Sequence, residues 1–145
     1  MTYAYKLEPT PQQVLDIEEN LNVRRKVWDY VLGERKDWCA SRKSVVSACL
    51  IRGEYIFCAD EPFPDYHIQA RRLTAARKHL SELGNAHSQI LQQTLRQLER
   101  AWDDMHKRGF GFPRFKKRHS LRSFVFPQLG KTRCLQKGLN CPKLA

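Results

Sequence analysis

Residues 109–128 read GFGFPRFKKRHSLRSFVFPQ. Read as a helix end followed by a strand, this stretch makes the protein α+β. It interleaves five phenylalanines with five Lys/Arg residues and holds no carboxylate. Gly109 and Gly111 end the helix before it, and Pro113 prevents that helix from continuing. Arg114 to Arg118 form a short basic connector. From Leu121 the chain alternates, with Arg122, Phe124 and Phe126 on one side and Leu121, Ser123 and Val125 on the other. Pro127 ends that strand or marks a sheet edge. The expected fold is therefore mainly α with a small antiparallel β element. Phe110, Phe112, Phe115, Phe124 and Phe126 are expected to anchor the segment in the core, so that the cations between them form a rigid ridge. Such a ridge tracks a phosphate backbone. Phe115, flanked by charge on both sides, could instead stack on a base.

The charge map supports that reading. The chain of 145 residues carries a net charge of +11. Residues 1–106 balance 15 Lys/Arg against 15 Asp/Glu, whereas residues 107–145 hold 11 Lys/Arg and no acid. An uncompensated field of this kind attracts polyanions by releasing condensed counterions, independently of base sequence. The length suits about one domain. No apolar run approaches the roughly 20 residues that span a bilayer. The N-terminal MTYAYKLEPTPQQ lacks an apolar signal core, so a cytoplasmic, non-membrane protein is expected.

Working outward, residues 2–8 (TYAYKLE) suit a short strand. Thr10, Pro11 and Gln13 then make a capping box that starts a helix. The asparagines of Asn20-Leu21-Asn22 compete for backbone hydrogen bonds, which predicts a break there. A second helix resumes at Val23 and carries Val27, Trp28, Val31 and Leu32 on one face. Arg24, Arg25 and Lys26 oppose the positive end of that helix dipole, so they are either tolerated on the surface or used to hold an anion. Residues 39–65 are the least readable: SVVSACLI fits helix or strand, and GEYIFCADEPFPD ends in a proline-broken loop. Tyr66 to Leu83 reads as a helix stopped by Gly84-Asn85. The clearest segment is 88–107, which Ser88 can N-cap. Its stripe of Leu91, Leu95, Leu98, Trp102 and Met105 suits helix packing, with Trp102 in the core. On its outer face Arg96–Glu99 or Arg100–Asp103 can pair.

Five cysteines show no paired-knuckle spacing, and five histidines form no triad or ligand set. Neither a cofactor nor a metal is expected.

Four segments taken in order (YKLEPTPQQ, RKVWDYVLGERK, SQILQQTLRQLERAW and GFPRFKKRHSLRSFVFPQ) resemble the start of the TnpB/OrfB family of insertion-sequence transposase-like proteins. These are RNA-guided DNA nucleases related to type V CRISPR effectors. The resemblance runs from about Tyr5 to Gln128, with residues 39–65 as a variable insertion. It implies a first strand at 1–9, a helix-turn-helix-like helical region at 10–108 and a basic Phe-rich strand region at 109–145, all within one domain. The strands would form an incomplete wedge-like barrel, with Lys6 and Leu7 pairing near Phe124–Phe126. It also implies that Arg114, Lys116, Lys117, Arg118 and Arg122 face phosphates, with Arg24 and Arg25 as weaker candidates. The partner would be guide-type RNA, an RNA–DNA hybrid or transposon-end DNA. Family members carry a further metal-dependent nuclease domain with three acidic residues, and no carboxylate follows Asp104 here. The expectation is a truncated, non-catalytic binding fragment. A decayed remnant, or one part of a split nuclease whose other half is separately encoded, remains open.

Overall fold

The first long helix begins where its capping residues place it. The Thr10 amide donates to Gln13 Oε1 at 3.0 Å, and the Val14 amide bonds the Thr10 carbonyl at 3.0 Å. In the computed structural model, which describes residue 6, residues 8–43 and residues 60–127, α1 then runs unbroken over Pro11–Lys43. The expected break at Asn20–Asn22 does not occur. Asn20 Nδ2 donates to the Asp16 carbonyl at 2.8 Å, and Asn22 Oδ1 accepts from Arg25 Nη2 at 3.0 Å. Both asparagine side chains thus find partners within the helix and leave its backbone ladder alone.

The reading of 66–83 as one helix is also corrected. The chain forms α2 (Tyr66–His79), turns through an extended Leu80, and makes a short α3 (Ser81–Asn85). Asp65 caps α2, its Oδ1 accepting from the Ile68 amide at 2.8 Å. Arg77 bonds the carbonyls of Leu83 and Ala86, both at 3.0 Å, and so folds α3 back on α2. The last helix, α4 (Ser88–Arg108), is capped by the His87 side chain rather than by Ser88. It ends at Gly109 with φ 68°, where glycine meets no steric penalty.

The core forms where the apolar stripes of α1 and α4 meet. Val23, Val27, Trp28, Val31 and Leu32 pack with Leu91, Leu95, Leu98 and Trp102, and Phe63, Tyr66, Ala70 and Leu73 close one side. Within this core lies Arg35, 0% exposed. Its Nε donates to Gln69 Oε1 at 3.1 Å, its Nη2 pairs with Glu99, and its guanidinium lies 5.3 Å from the Phe63 ring centroid and 5.4 Å from that of Trp102. Gln69 in turn donates to the Val31 carbonyl at 3.0 Å and to Glu34 at 2.8 Å. One arginine therefore joins α1, α2 and α4. Glu99 faces this site rather than Arg96, and Asp103 pairs with Lys107 rather than Arg100.

The expected α+β class is overturned. No strand or sheet occurs among the described residues, and the fold is a packing of helices. Residues 121–126 have the alternation of a strand but no neighbouring strand among the described residues to pair with, and alternation alone does not build a ladder. The barrel reading falls with them. The expected strand at 2–8 lies outside the described residues apart from Lys6 and Glu8, as do 44–59 of the expected insertion and everything after Pro127.

Removing one partner of a buried ion pair strands the other charge, at a cost of about 3–5 kcal/mol. Glu99→Ala should therefore lower urea-unfolding stability by roughly 3 kcal/mol, although Glu99 itself is partly exposed. Glu82→Ala, which breaks the exposed Lys26–Glu82 pair, should cost less than about 1 kcal/mol. Equal losses in the two variants would show that the Arg35 charge does not depend on Glu99.

Candidate nucleic-acid interface

The segment after α4 does not wander from the helices; it runs back along α1. Side chains of α1 hold it by its backbone. Trp28 Nε1 donates to the Arg114 carbonyl at 3.0 Å. Asp29 Oδ1 accepts the Lys116 amide at 2.8 Å. Arg24 Nη1 donates to the Ser123 carbonyl, while its Nη2 reaches Gln97 on α4. A tight turn closes at Lys117–Ser120, with the Ser120 amide on the Lys117 carbonyl at 3.1 Å and His119 in the left-handed region at φ 61°. Three side chains from two successive turns of α1 thus grip the polar backbone of residues 114–123.

This reverses the expected anchoring. Phe110, Phe112 and Phe115 are 58, 41 and 50% exposed, so they are not core residues. Phe124 and Phe126 are half-buried, Phe126 against His87 at 5.3 Å between ring centroids, and only Pro113 of the 109–127 segment is buried. Backbone hydrogen bonds from α1, rather than inserted phenylalanines, stiffen the ridge. Had the phenylalanines been inserted, α1 would need a hydrophobic groove where it presents Trp28 and Asp29.

The cations divide accordingly. Arg114, Lys117, Arg118 and Arg122 are exposed; the Arg122 Nε makes one long bond to the His119 carbonyl at 3.4 Å. Lys116 is half-buried, its Nζ 4.8 Å from the Trp28 ring centroid. Arg24 is buried and engaged on both sides, and burial lowers its pKa from the ordinary arginine value. Arg25 is held by Asp29 at 3.1 Å and by Asn22. The structure therefore leaves four of the candidates exposed and uses Arg24 and Arg25 internally. Phe115 sits beside Lys36, whose Nζ lies 4.7 Å from its ring centroid. Sequence reasoning missed Lys36, and the clamp formed by Trp28 and Asp29. The one signal for the clamp was an aspartate adjacent to a tryptophan on an otherwise apolar face.

Between the N-terminal half of α1 and the Lys117–Ser120 turn lies a cavity of about 290 Å³, lined in part by Leu15, Glu18, Glu19, Arg25, Arg118 and His119. Among the described residues no group of three or more His, Cys, Asp or Glu could hold a metal. The half-buried Cys39 thiol is free, and burial pushes its pKa up against the pull of Lys43 and Arg35. No helix among the described residues is long and apolar enough to cross a membrane.

Exposed cations on a clamped backbone segment are a surface chemistry that nucleic-acid-binding proteins share. Residues 1–44 match the family model described as Helix-turn-helix domain, of the OrfB and IS605 type. The N-terminal part of this chain is thus an OrfB/TnpB-family region, and such a region is a DNA-binding part of a transposase-related protein. No curated protein and no solved structure matches the chain. From Pro11 to Lys43 the matched residues form one continuous helix, without the turn that a helix-turn-helix places between its two helices.

A hydrogen bond to a charged acceptor contributes about 1.5–3 kcal/mol. Asp29→Ala should therefore raise the open population of residues 114–123 about tenfold or more. Limited trypsin cleavage after Lys117 and Arg118 reads this directly. Unchanged cleavage in the variant would mean that α1 does not hold the segment.

Proposed function

We propose that this protein binds nucleic acid through the sugar–phosphate backbone, along the edge formed by Arg114, Lys117, Arg118 and Arg122, and that it does so without cleaving it. The observation that carries this reading is the clamp. Trp28, Asp29 and Arg24 fix the backbone of the segment while leaving those four side chains exposed. A fixed backbone lowers the ordering cost that a floppy basic tail would incur on binding. Cations on a stiff edge suit a structured RNA or an RNA–DNA hybrid, which are recognised by shape and phosphate contacts.

The match of residues 1–44 supports nucleic acid as the partner class. The continuous α1 supports backbone contact over groove reading, because its candidate cations Arg24 and Arg25 already serve internal partners. Metal-assisted cleavage needs clustered carboxylates. Asp103 and Asp104, the last carboxylates in the chain, are instead paired with Lys107 and Arg108.

Contact with about four phosphates should give a plot of log K against log salt with a slope of roughly −3 to −4. Replacing Arg114, Lys117, Arg118 and Arg122 together with glutamine should flatten that slope towards zero. A control that removes exposed charge elsewhere, Arg71→Gln with Lys78→Gln on α2, should leave it unchanged. Titrating structured RNA, an RNA–DNA hybrid and duplex DNA of equal length ranks the partners. If the glutamine variant binds with the native slope, the edge is not the phosphate contact.

A further inference from the structure

Three aromatic side chains at the start of the segment are unexplained by phosphate binding. Phe110, Phe112 and Phe115 fall within six residues and are 58, 41 and 50% exposed. Two of them are held in place. Phe112 packs edge-on against the buried Trp102 at 5.2 Å between centroids, and Trp102 continues inward to Phe63 at 5.6 Å and then to Trp38 at 5.2 Å. Phe115 lies against α1 at Gly33, where a Cβ would stand 4.0 Å from its ring. The Lys36 ammonium lies near both rings, 5.4 Å from the Phe112 centroid and 4.7 Å from that of Phe115. The two rings and one cation therefore form a single patch.

The surroundings of the patch select its occupant. Arg114 and Lys117 flank Phe115 in the chain and are exposed. Carboxylates in the neighbouring turns are already paired: Asp29 with Arg25, Asp103 with Lys107, and Asp104 with Arg108. Exposed rings among unneutralised cations complement a ligand that offers flat apolar faces and negative charge at a short repeat. Unpaired nucleotides offer both, and a duplex does not, because its base faces are covered by their neighbours.

Resting on the reading that the basic edge contacts phosphates, we propose that Phe112 and Phe115, with Lys36 beside them, form a platform on which bases of a single strand stack. The ligand is thus an unpaired stretch of RNA or DNA adjoining the phosphates held by Arg114 and Lys117. Base–aromatic stacking tolerates any base, so the platform distinguishes single strands from duplexes rather than one sequence from another.

The test uses the full chain and three labelled ligands of equal length: an oligothymidylate, an abasic strand with the same number of phosphates, and a blunt duplex. An oligouridylate run in parallel separates RNA from DNA. The base-bearing strand should bind about tenfold to a hundredfold more tightly than the abasic strand at one salt concentration. Phe115→Leu should remove about tenfold of that preference, with the salt slope unchanged. Phe112→Leu with Phe115→Leu should abolish it. Because Phe112 touches Trp102, thermal unfolding of the double variant is compared with that of Phe115→Leu alone, which leaves Trp102 untouched. Equal affinity for base-bearing and abasic strands would overturn the platform and leave the basic edge standing. Absence of binding to every strand at low salt would overturn both. A concentration-dependent dimer that Phe115→Leu dissociates, with no change in base preference, would assign the patch to a second copy of this chain and overturn the proposal.

Discussion

A charged side chain without access to water sits at the centre of this fold. Arg35 is fully buried, and it satisfies its charge through Glu99 on α4 and its Nε through Gln69 on α2. Its Nη1 has no hydrogen-bond partner among the described residues. The aromatic faces of Phe63 and Trp102 offset part of that deficit, since a desolvated guanidinium over an aromatic ring gains about 2 kcal/mol. An apolar side chain would tolerate several helix registers at this point, whereas the guanidinium fork accepts few. Arg24 adds a second constraint from the same helix. It lies 11 positions before Arg35, about 16 Å along α1. Yet the two arginines reach Gln97 and Glu99, which are neighbours on α4. Two widely separated arms converging on one turn fix where α4 meets α1.

That fixed meeting point determines the interface. α4 ends at Gly109, and the next residues are delivered to the α1 surface beside Lys36. From there Trp28, Asp29 and Arg24 take the segment in order, with its direction opposite to that of α1. Trp28 serves both sides of the helix, with its ring in the core and its Nε1 on the segment. Core and cationic edge are therefore coupled through single residues of α1 rather than through a separate scaffold.

The helices were readable in the sequence because their signals are local. The capping box at Thr10–Gln13, the stripe from Leu91 to Trp102 and the stop at Gly109 all act within a few residues, and the structure has them. The errors came where local preference meets a distant partner. Asn20 and Asn22 look like helix breakers until Asp16 and Arg25 absorb their side chains. Leu121–Phe126 looks like a strand, yet among the described residues the only long-range hydrogen bond to that stretch is the one Arg24 makes to the Ser123 carbonyl. Its phenylalanines look like core because they are apolar, but residue type does not reveal that α1 would hold the backbone instead. The exposed cations were identifiable from charge alone. Of the three occupied ones, Arg25 is held locally by Asp29 and Asn22, whereas Arg24 and Lys116 depend on partners far along the chain.

The shape of α1 then bears on what the edge can do. In a helix-turn-helix, the second helix is free to enter a groove with its polar face forward. Here the corresponding length of chain is one helix with three calls on its surface: the core takes one side, the clamped segment another, and Glu34 is held by Arg72 and Gln69 of α2. A helix so enclosed cannot insert into a major groove without first releasing residues 114–123. Release would cost the bonds from Trp28, Asp29 and Arg24 together, whereas contact along the outer edge costs none of them. Under the proposed reading, physical economy therefore favours the segment over the helix as the surface that meets nucleic acid, with the helix as its support.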